Sequence, residues 1–321
     1  GALQENIESI RKLAPRYFAT QQRAVASDDF SSLIFNKYGG NIADVSVFGG
    51  DQLTPKQYGK VAVCLKPRNT TITPNYLKDQ ISNYLLNYVS LPTRVVITDP
   101  DYIYVTINST VQYNATSTTK LATDVQTIVE NNIYNFGQNN LGLFNTNFRY
   151  SKFTAAIDAS DPSIASNETE ILITKRITPT LYYPSSYVLD YNNPTEQEMR
   201  STAYGYKAGG PFYDEPMITS SAFTYVDASG TLWTNARIRD DNFGVLVVYA
   251  VINNIFTVID TIGSVDYKTG VLIITNLKVS DYNQYISIYM MPATKDIVVS
   301  KDKIILIDPN DVNVSVIPAT K

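Results

Sequence analysis

The stretch "GKVAVCLKPRNTTITPNYLKDQISNYLLNYVSLPTRVVIT" at residues 59–98 decides the fold. It begins and ends with apolar runs that contain β-branched residues, at 59–67 and 93–98, and such runs are typical of strands. Between them, Thr73 as N-cap and Pro74 at the first helical position predict the start of a helix. The apolar face of this helix should consist of Leu77, Ile81, Tyr84, Leu85 and Tyr88. The stretch therefore predicts a strand-helix-strand unit.

A helix and a strand are also predicted upstream of this unit. Apolar residues recur at three- and four-residue steps from Leu3 to Phe18, which is the spacing of one helix face. Pro15 should end or kink this helix because proline cannot continue the backbone hydrogen bonding. The residues at 43–50 have the pattern of a strand.

A second, short helix is predicted between these two elements. It should begin at Ser27 as N-cap and bury Phe30, and the glycines of "KYGGN" should end it. Asp28 and Asp29 fall in its first turn, where negative charge meets the positive end of the helix dipole. We expect Arg23 to form an internal tie to one of these aspartates.

Strand and helix signals continue to alternate downstream. The region 93–114 is rich in β-forming residues, and "DPD" at 99–101 predicts a turn or bulge within it. A helix is predicted at about 119–136, and a further strand at 168–179. This order suits a split βαβ layer with helices on one face.

The pattern changes after residue 179, where short β-rich runs are separated by Gly, Pro, Asn and Asp. Hairpins should turn at 228–230, 253–254 and 268–270, and residues 191–216 should form a long irregular loop. The predicted fold class is α+β, with N-terminal helices and a split βαβ-type layer followed by an antiparallel β-rich domain. The predicted domains are a helical lead segment, an α/β domain and a β-rich domain, at 1–40, 41–179 and 180–321.

Composition excludes several classes of function. The chain has 321 residues, no histidine, one cysteine and a formal net charge of −4. Without histidine it lacks the usual side chain for proton transfer near neutral pH and for zinc binding, so histidine-containing triads are excluded. Its negative charge argues against a nucleic-acid partner. The best apolar run, at 245–252, is far shorter than the roughly 18 residues of a membrane-spanning helix. We predict no cofactor, no metal and no membrane span.

Carboxylate pairs are the remaining source of catalysis, because a glycosidase can work without histidine. Helix-start charge explains one pair, and turn-like sequences, where Asp is common, explain the others. We therefore predict no catalytic residues, and a carboxylate-based cell-wall hydrolase stays an alternative. The carboxylate pairs considered are Asp28/Asp29, Asp99/Asp101, Asp214/Glu215 and Asp240/Asp241.

The single cysteine, Cys64, lies in a strand pattern and should be buried and inert.

Two stretches are candidates for contact surfaces. Aromatic residues cluster at 202–216, and tyrosine is favoured in protein contacts, although a glycan-binding or tail-fibre-like module would use the same residues. The run at 245–252 is apolar at every position, so both its faces should be covered, by a packed sandwich or by another subunit. The candidate interface residues are Tyr204, Tyr206, Phe212, Tyr213, Val247, Tyr249 and Val251.

The region from 3 to 178 resembles the baseplate J-like family of contractile-tail proteins. In that family a helix that ends in Arg-x-x-Ala-Pro is followed by an Arg-Ala-Val segment and an Asp-aromatic helix start. The domain predicted at 41–179 is thereby similar to a baseplate J-like domain. Here the motif falls on Arg11, Ala14, Pro15, Arg23, Ala24, Val25, Asp29 and Phe30.

The resemblance implies a structural role in the virion. Such a protein is a subunit of the wedge of a phage contractile-tail baseplate and is assembled in the host cytoplasm. It contacts copies of itself, as a homodimer and a higher ring around the hub, and other baseplate wedge proteins, and the ring rearranges on tail contraction. The family offers no catalytic residues. The chain begins "GALQEN", which suggests a scar followed by a C-terminal fragment.

Overall fold

The computed structural model describes most of the chain, and the chain divides into two compact units. The described residues are 11, 14–15, 17–18, 20–21, 23–53, 55–89, 93–195, 216–253 and 255–319. The first unit comprises residues 1–102, 142–146 and 299–304. The second unit comprises residues 103–141, 147–298 and 305–321.

The first unit is built on a three-stranded sheet with the order β1, β2, β3. Strand β1 runs antiparallel to β2, and β2 runs parallel to β3. The predicted βαβ unit is therefore present as β2-α2-β3, with its two strands as direct neighbours rather than split by a third. The elements are α1 (Ser27–Tyr38), β1 (Ile42–Gly49), β2 (Lys60–Pro67), α2 (Asn75–Leu85) and β3 (Arg94–Thr98).

The core of the first unit lies where the apolar faces of both helices meet the sheet. Helix α1 buries Phe30, as predicted, together with its neighbouring leucine and isoleucine. Helix α2 buries one residue per turn of its predicted face, whereas Tyr84 and Tyr88 are half-buried at the core's margin. Burying each such side chain contributes roughly 1.5–3 kcal/mol. The buried set includes Phe30, Leu33, Ile34, Val63, Leu65, Leu77, Ile81 and Leu85.

Helix starts differ slightly from the predictions, and each difference has a local cause. The N-cap of α1 is Ala26 rather than Ser27, because the Asp29 carboxylate accepts a hydrogen bond from the backbone N–H of Ala26. The N-cap of α2 is Pro74, since the Thr73 hydroxyl donates to the carbonyl of Leu65 instead of capping the helix. Residues at i and i+3 of a helix start are close enough for such capping.

The remaining elements build a large mixed sheet with two further helices. Its strands follow the order β15, β4, β5, β14, β7, β9, β10, β11, β12, β6, and β16 pairs with β4 while β8 pairs with β9 and β13. The elements are β4 (Asp101–Tyr113), α3 (Ala122–Asn140), α4 (Tyr150–Asp158), β5 (Ile164–Ile177), β6 (Ser185–Asp190), β7 (Ile218–Ser220), β8 (Phe223–Val226), β9 (Leu232–Asp240), β10 (Val245–Ile252), β11 (Ile255–Asp266), β12 (Val271–Leu277), β13 (Val279–Tyr282), β14 (Ile286–Met290), β15 (Lys303–Leu306) and β16 (Val312–Pro318).

The strand predicted at 168–179 exists as β5, but it does not join the three-stranded sheet that contains the βαβ unit. It pairs antiparallel with β4 and β14 in the large sheet. Two buried hydroxyl pairs set its register against β4, Thr106 with Thr174 at 2.7 Å and Ser109 with Thr169 at 2.9 Å. Periodicity shows that a segment is a strand but does not show which distant strand it pairs with.

The three predicted hairpins are present in the β-rich part of the chain. Strands β8 and β9 pair around the predicted turn, β10 and β11 pair up to Ile252 opposite Ile255, and β11 and β12 pair up to Asp266 opposite Val271. Asn253 and Gly270 adopt φ of 50° and 68°, which favours Asn and Gly in such turns.

The helices and the large, mostly antiparallel sheet together confirm the predicted α+β fold class.

Candidate functional site

Most described residues of the lead motif are exposed, whereas Ala24 and Phe30 are buried in the core of the first unit. Arg11, Ala14, Pro15 and Arg23 are all exposed, and no ion pair joins Arg23 to an aspartate in the described part of the chain. Arg23 instead donates its backbone N–H to the carbonyl of Thr20 at 2.9 Å. The described part of the motif therefore supplies a chain turn before α1.

Asp29 holds the start of α1. One of its carboxylate oxygens accepts hydrogen bonds from the backbone N–H of Val25 at 3.0 Å and of Ala26 at 2.8 Å. Asp28 is exposed in the same turn. The pair at 28 and 29 thus serves the helix terminus, where carboxylates are stabilised by orphan donors and by the dipole.

The carboxylates at 99 and 101 are also used within the first unit. Asp99 accepts a hydrogen bond from the backbone N–H of Thr73 at 3.0 Å and pairs with Lys78. Asp101 pairs with the buried Lys303 at 3.1 Å. Each carboxylate therefore has its own cation, an arrangement that differs from two acids converging on a substrate.

The carboxylates at 240 and 241 have separate structural partners. Asp240 is buried and accepts hydrogen bonds from the backbone N–H of Ile218 at 2.9 Å and from the Tyr267 hydroxyl at 2.7 Å. Asp241 accepts from two backbone N–H groups of its own turn. Asp214 and Glu215 lie outside the described residues. Within the described residues, no group of three or more acidic or cysteine side chains could hold a metal ion.

Cys64 is fully buried in β2. Burial raises the pKa of its thiol to about 12, because the thiolate would lose its hydration. A thiol held neutral in this way is a poor nucleophile.

The second half of the candidate interface, in β10, is only partly covered. Val247 is buried, Tyr249 is half-buried, and Val251 is 60% exposed. Both faces of the strand are therefore covered at Leu246–Ala250, but the last two residues of the strand are exposed. Tyr204, Tyr206, Phe212 and Tyr213 lie outside the described residues, so their contact role stays a prediction.

The end of the β10-β11 hairpin, here called the hairpin tip, exposes apolar side chains from both strands. It consists of Val251, Ile252, Ile255 and Val258, whose exposed fractions are 60%, 40%, 66% and 38%. Directly paired residues lie on one face of a sheet, and successive residues lie on opposite faces. Val251 pairs with Phe256, and Ile252 pairs with Ile255, so the hairpin tip is apolar on both faces. Val251 is among the candidate interface residues predicted from the sequence, and the other three are not.

Aromatic packing supports the hairpin tip from one side. The rings of Tyr249 and Phe256 stack with centroids 4.7 Å apart and an interplanar angle of 26°. The guanidinium of Arg239 lies 5.4 Å from the Phe256 ring centroid, within cation-π range. These contacts fix the strands just behind the tip.

A largely buried cation cluster, which was not predicted from the sequence, centres on Arg176 in β5. Its Nη2 lies 2.7 Å from carboxylate oxygens of both Asp308 and Asp311, and its guanidinium lies 3.9 Å and 4.1 Å from the ring centroids of Tyr104 and Tyr285. Burial raises the pKa of Asp311, although Arg176 opposes this. The cluster ties β5 to the turn that precedes β16.

Two open clefts in the second unit are polar. The larger has a volume of about 530 Å³ and is lined by Asn108, Gln126, Glu130, Glu168, Glu170 and Asn313 among others. The smaller has a volume of about 400 Å³ and is lined by Thr224, Thr234, Asn235, Asp281 and Asn283 among others. Their linings suit water and polar groups rather than apolar side chains. Among the described residues, no helix has the length and apolar character needed to cross a membrane.

Comparison with known proteins gives two family matches that together cover much of the N-terminal half. Residues 26–98 match "Baseplate structural protein gp6, C-terminal domain I", and residues 101–176 match "Baseplate structural protein gp6, C-terminal domain III". These segments hold the β1–β3 sheet with its helices, and β4 to β5 with α3 and α4.

A curated relative and a solved structure are also similar to the chain. "Baseplate wedge protein gp6" of Enterobacteria phage T4 is 23% identical over 205 residues, which cover 64% of this chain and 30% of that protein. The chain thus spans less than a third of the relative's length. A chain from the "Cryo-EM structure of the anti-feeding prophage (AFP) baseplate, 6-fold symmetrised" is 18% identical with a TM-score of 0.40, covering 54% of this chain and 38% of that one.

The two matched segments thus place this part of the chain among the domains of baseplate structural proteins. More particularly, residues 26–98 and 101–176 are gp6-like, because they are similar to C-terminal domains I and III of that baseplate protein. The resemblance to baseplate proteins predicted over residues 3–178 is confirmed over residues 26–98 and 101–176.

Proposed function

We propose that this chain is a structural subunit of a phage contractile-tail baseplate wedge that works through its surfaces. The observation that carries the proposal is the pair of adjacent matches to gp6 C-terminal domains, over residues 26–98 and 101–176. The described carboxylates that were considered for catalysis accept hydrogen bonds at helix starts and turns or form ion pairs. The protein acts without catalysing a reaction.

The contacts of this subunit are both homotypic and heterotypic. Copies pair as homodimers and join a higher ring around the tail hub, and other wedge proteins bind to separate surfaces. Closed rings need two different patches on each subunit, one for each neighbour. The name of the T4 relative, a baseplate wedge protein, supports a role in such an assembly. Residues Tyr204, Tyr206, Phe212 and Tyr213 belong to these patches.

Tail contraction changes these contacts while the domains keep their cores. The first unit buries an apolar cluster of its own, and the second unit is held by a sheet with buried hydroxyl pairs and the Arg176 cluster. Packed cores resist continuous deformation, so rearrangement takes place by rigid-body exchange of interfaces. The proposed sequence domains are a lead segment at 1–40, a baseplate J-like domain at 41–179 and a β-rich domain at 180–321; they differ from the two compact units, because most of 103–179 belongs to the second unit.

The proposal is tested by assembly in vitro. The chain is mixed at micromolar concentration with the purified wedge proteins of its own virion, and complexes are weighed by native mass spectrometry. We expect a complex of fixed stoichiometry that contains this chain. A chain that stays free under conditions in which the other wedge proteins bind one another would contradict the proposal.

A further inference from the structure

The hairpin tip exposes more apolar surface than a solvent-facing turn requires. Ile255 is 66% exposed and Val251 is 60% exposed, each within two residues of Asn253. A polar turn such as Asn253 needs no apolar neighbours for its geometry. Contiguous exposed apolar side chains on a soluble protein mark interaction sites.

The hairpin tip is held in place before any partner binds. Strands β10 and β11 remain paired up to Ile252 opposite Ile255, so the turn between them is short. Behind the tip, Tyr249 stacks on Phe256, and Arg239 packs against the same ring. A preorganised element loses little conformational entropy on binding.

The shape of the hairpin tip decides what kind of surface can cover it. Ile252 and Ile255 form one face, and Val251 lies on the other face beside Phe256. A flat surface, or a second hairpin packed across a two-fold axis, covers one face and leaves the other in water. Both faces are covered together when the tip enters a concave apolar pocket.

The charge next to the hairpin tip limits the partner further. Arg237 on β9 pairs in register with Tyr249, is exposed, and has no ion-pair partner among the described residues. A carboxylate at the rim of the pocket would meet this guanidinium. The two clefts described on this chain have polar linings and do not fit the tip.

We infer that the hairpin tip is a plug that inserts into an apolar pocket, rimmed by a carboxylate, on a different wedge protein. This inference rests on the proposed function and names the chemistry of one heterotypic contact. Ile252 and Ile255 fill the pocket from one side and Val251 and Val258 from the other. Arg237 pairs with the rim.

The test places a photo-crosslinking amino acid, p-benzoylphenylalanine, at position 255 of the chain and, as a matched control, at position 188. Val188 is also 66% exposed on a strand of the same sheet. Each protein is mixed with the purified wedge proteins of its own virion and irradiated. We expect position 255 to crosslink to one other wedge protein and position 188 to give no crosslink to that protein.

Binding of the crosslinked partner is then measured with substitutions. Ile255→Asp should weaken binding at least tenfold, Arg237→Glu at least threefold, and Val188→Asp less than twofold. Ile255→Ser is included in case the charged variant folds poorly, and thermal melting of each variant checks the fold.

The outcomes separate this inference from the proposed function. Crosslinks from position 255 only to another copy of the chain, or no crosslink in an otherwise complete complex, would overturn the plug and leave the wedge role standing. Equal weakening by Ile255→Asp and Val188→Asp would also overturn it. Failure of the unsubstituted chain to join any complex would overturn the wedge role, and the plug with it.

Discussion

Replacing Arg176 with methionine should destabilise the second unit more than any exposed ion-pair change. The substitution keeps much of the side-chain volume but removes the cation between Asp308 and Asp311, whose side chains are 19% and 10% exposed. It also removes the cation from between two tyrosine rings. Breaking a buried pair by removing one partner costs about 3–5 kcal/mol, because the remaining charge stays buried without compensation. Because the cluster retains slight exposure, we expect a loss near the lower end of that range, about 3 kcal/mol.

The assay is urea unfolding at neutral pH, followed by tryptophan fluorescence. The chain has one tryptophan, Trp233, and it lies in β9 of the second unit, so its signal reports on the unit that contains the cluster. The midpoint should fall while the slope with urea stays unchanged, since the surface exposed on unfolding is the same.

A matched control separates the buried cluster from the loss of a surface charge. Arg149 pairs with Asp296 at 2.8 Å, but these side chains are 50% and 43% exposed. Arg149→Met should therefore cost no more than about 1 kcal/mol. If Arg176→Met were as stable as Arg149→Met, the argument from burial would be refuted.

Three further predictions concern other described residues. Asp29→Ala should destabilise the first unit by about 1 kcal/mol through the lost cap, and Asp28→Ala by less than about 0.5 kcal/mol, measured by urea-dependent thiol labelling. Cys64 provides that readout, because its buried thiol, with a pKa raised to about 12, should react with Ellman's reagent only after unfolding. Hydrogen bonds from Lys120 and Ser163 lower the pKa of Asp161 from 3.8 to about 2, so its stabilisation is present above the ordinary value and is lost as pH falls through 2. Asp161→Asn should therefore flatten the dependence of second-unit stability on pH between about 4 and 2, and an unchanged slope would count against this assignment.

Local elements could be predicted because they depend on residues that are close together in the sequence. The strand-helix-strand unit, the end of α1 and the three hairpins depend on periodicity, proline, glycine and asparagine within a few residues. Helix starts shifted where a side chain found a partner that the pattern does not show, as Thr73 did with Leu65. Capping depends on three-dimensional neighbours as well as on residue type.

Long-range features could not be predicted, because the residues that form them lie far apart in the sequence. The Arg176 cluster joins residues separated by 135 positions, and nothing near Arg176 in sequence indicates its aspartates. The sheet position of β5 depends on β4 and β14, which lie on either side of it in the chain. The apolar run at 245–252 predicted a covered strand, but exposure of Val251 and Ile252 depends on where the neighbouring strands end. Charge and apolar character are local, whereas burial is a property of the whole sheet.

The most direct test of the wedge role is the protein content of the virion's own baseplates. Baseplates are isolated from purified particles, and the peptides of this chain are quantified by mass spectrometry against those of the other wedge proteins. We predict that the chain is present in a fixed, small-integer ratio to them. Absence of the chain from baseplates that contain the other wedge proteins would contradict the account.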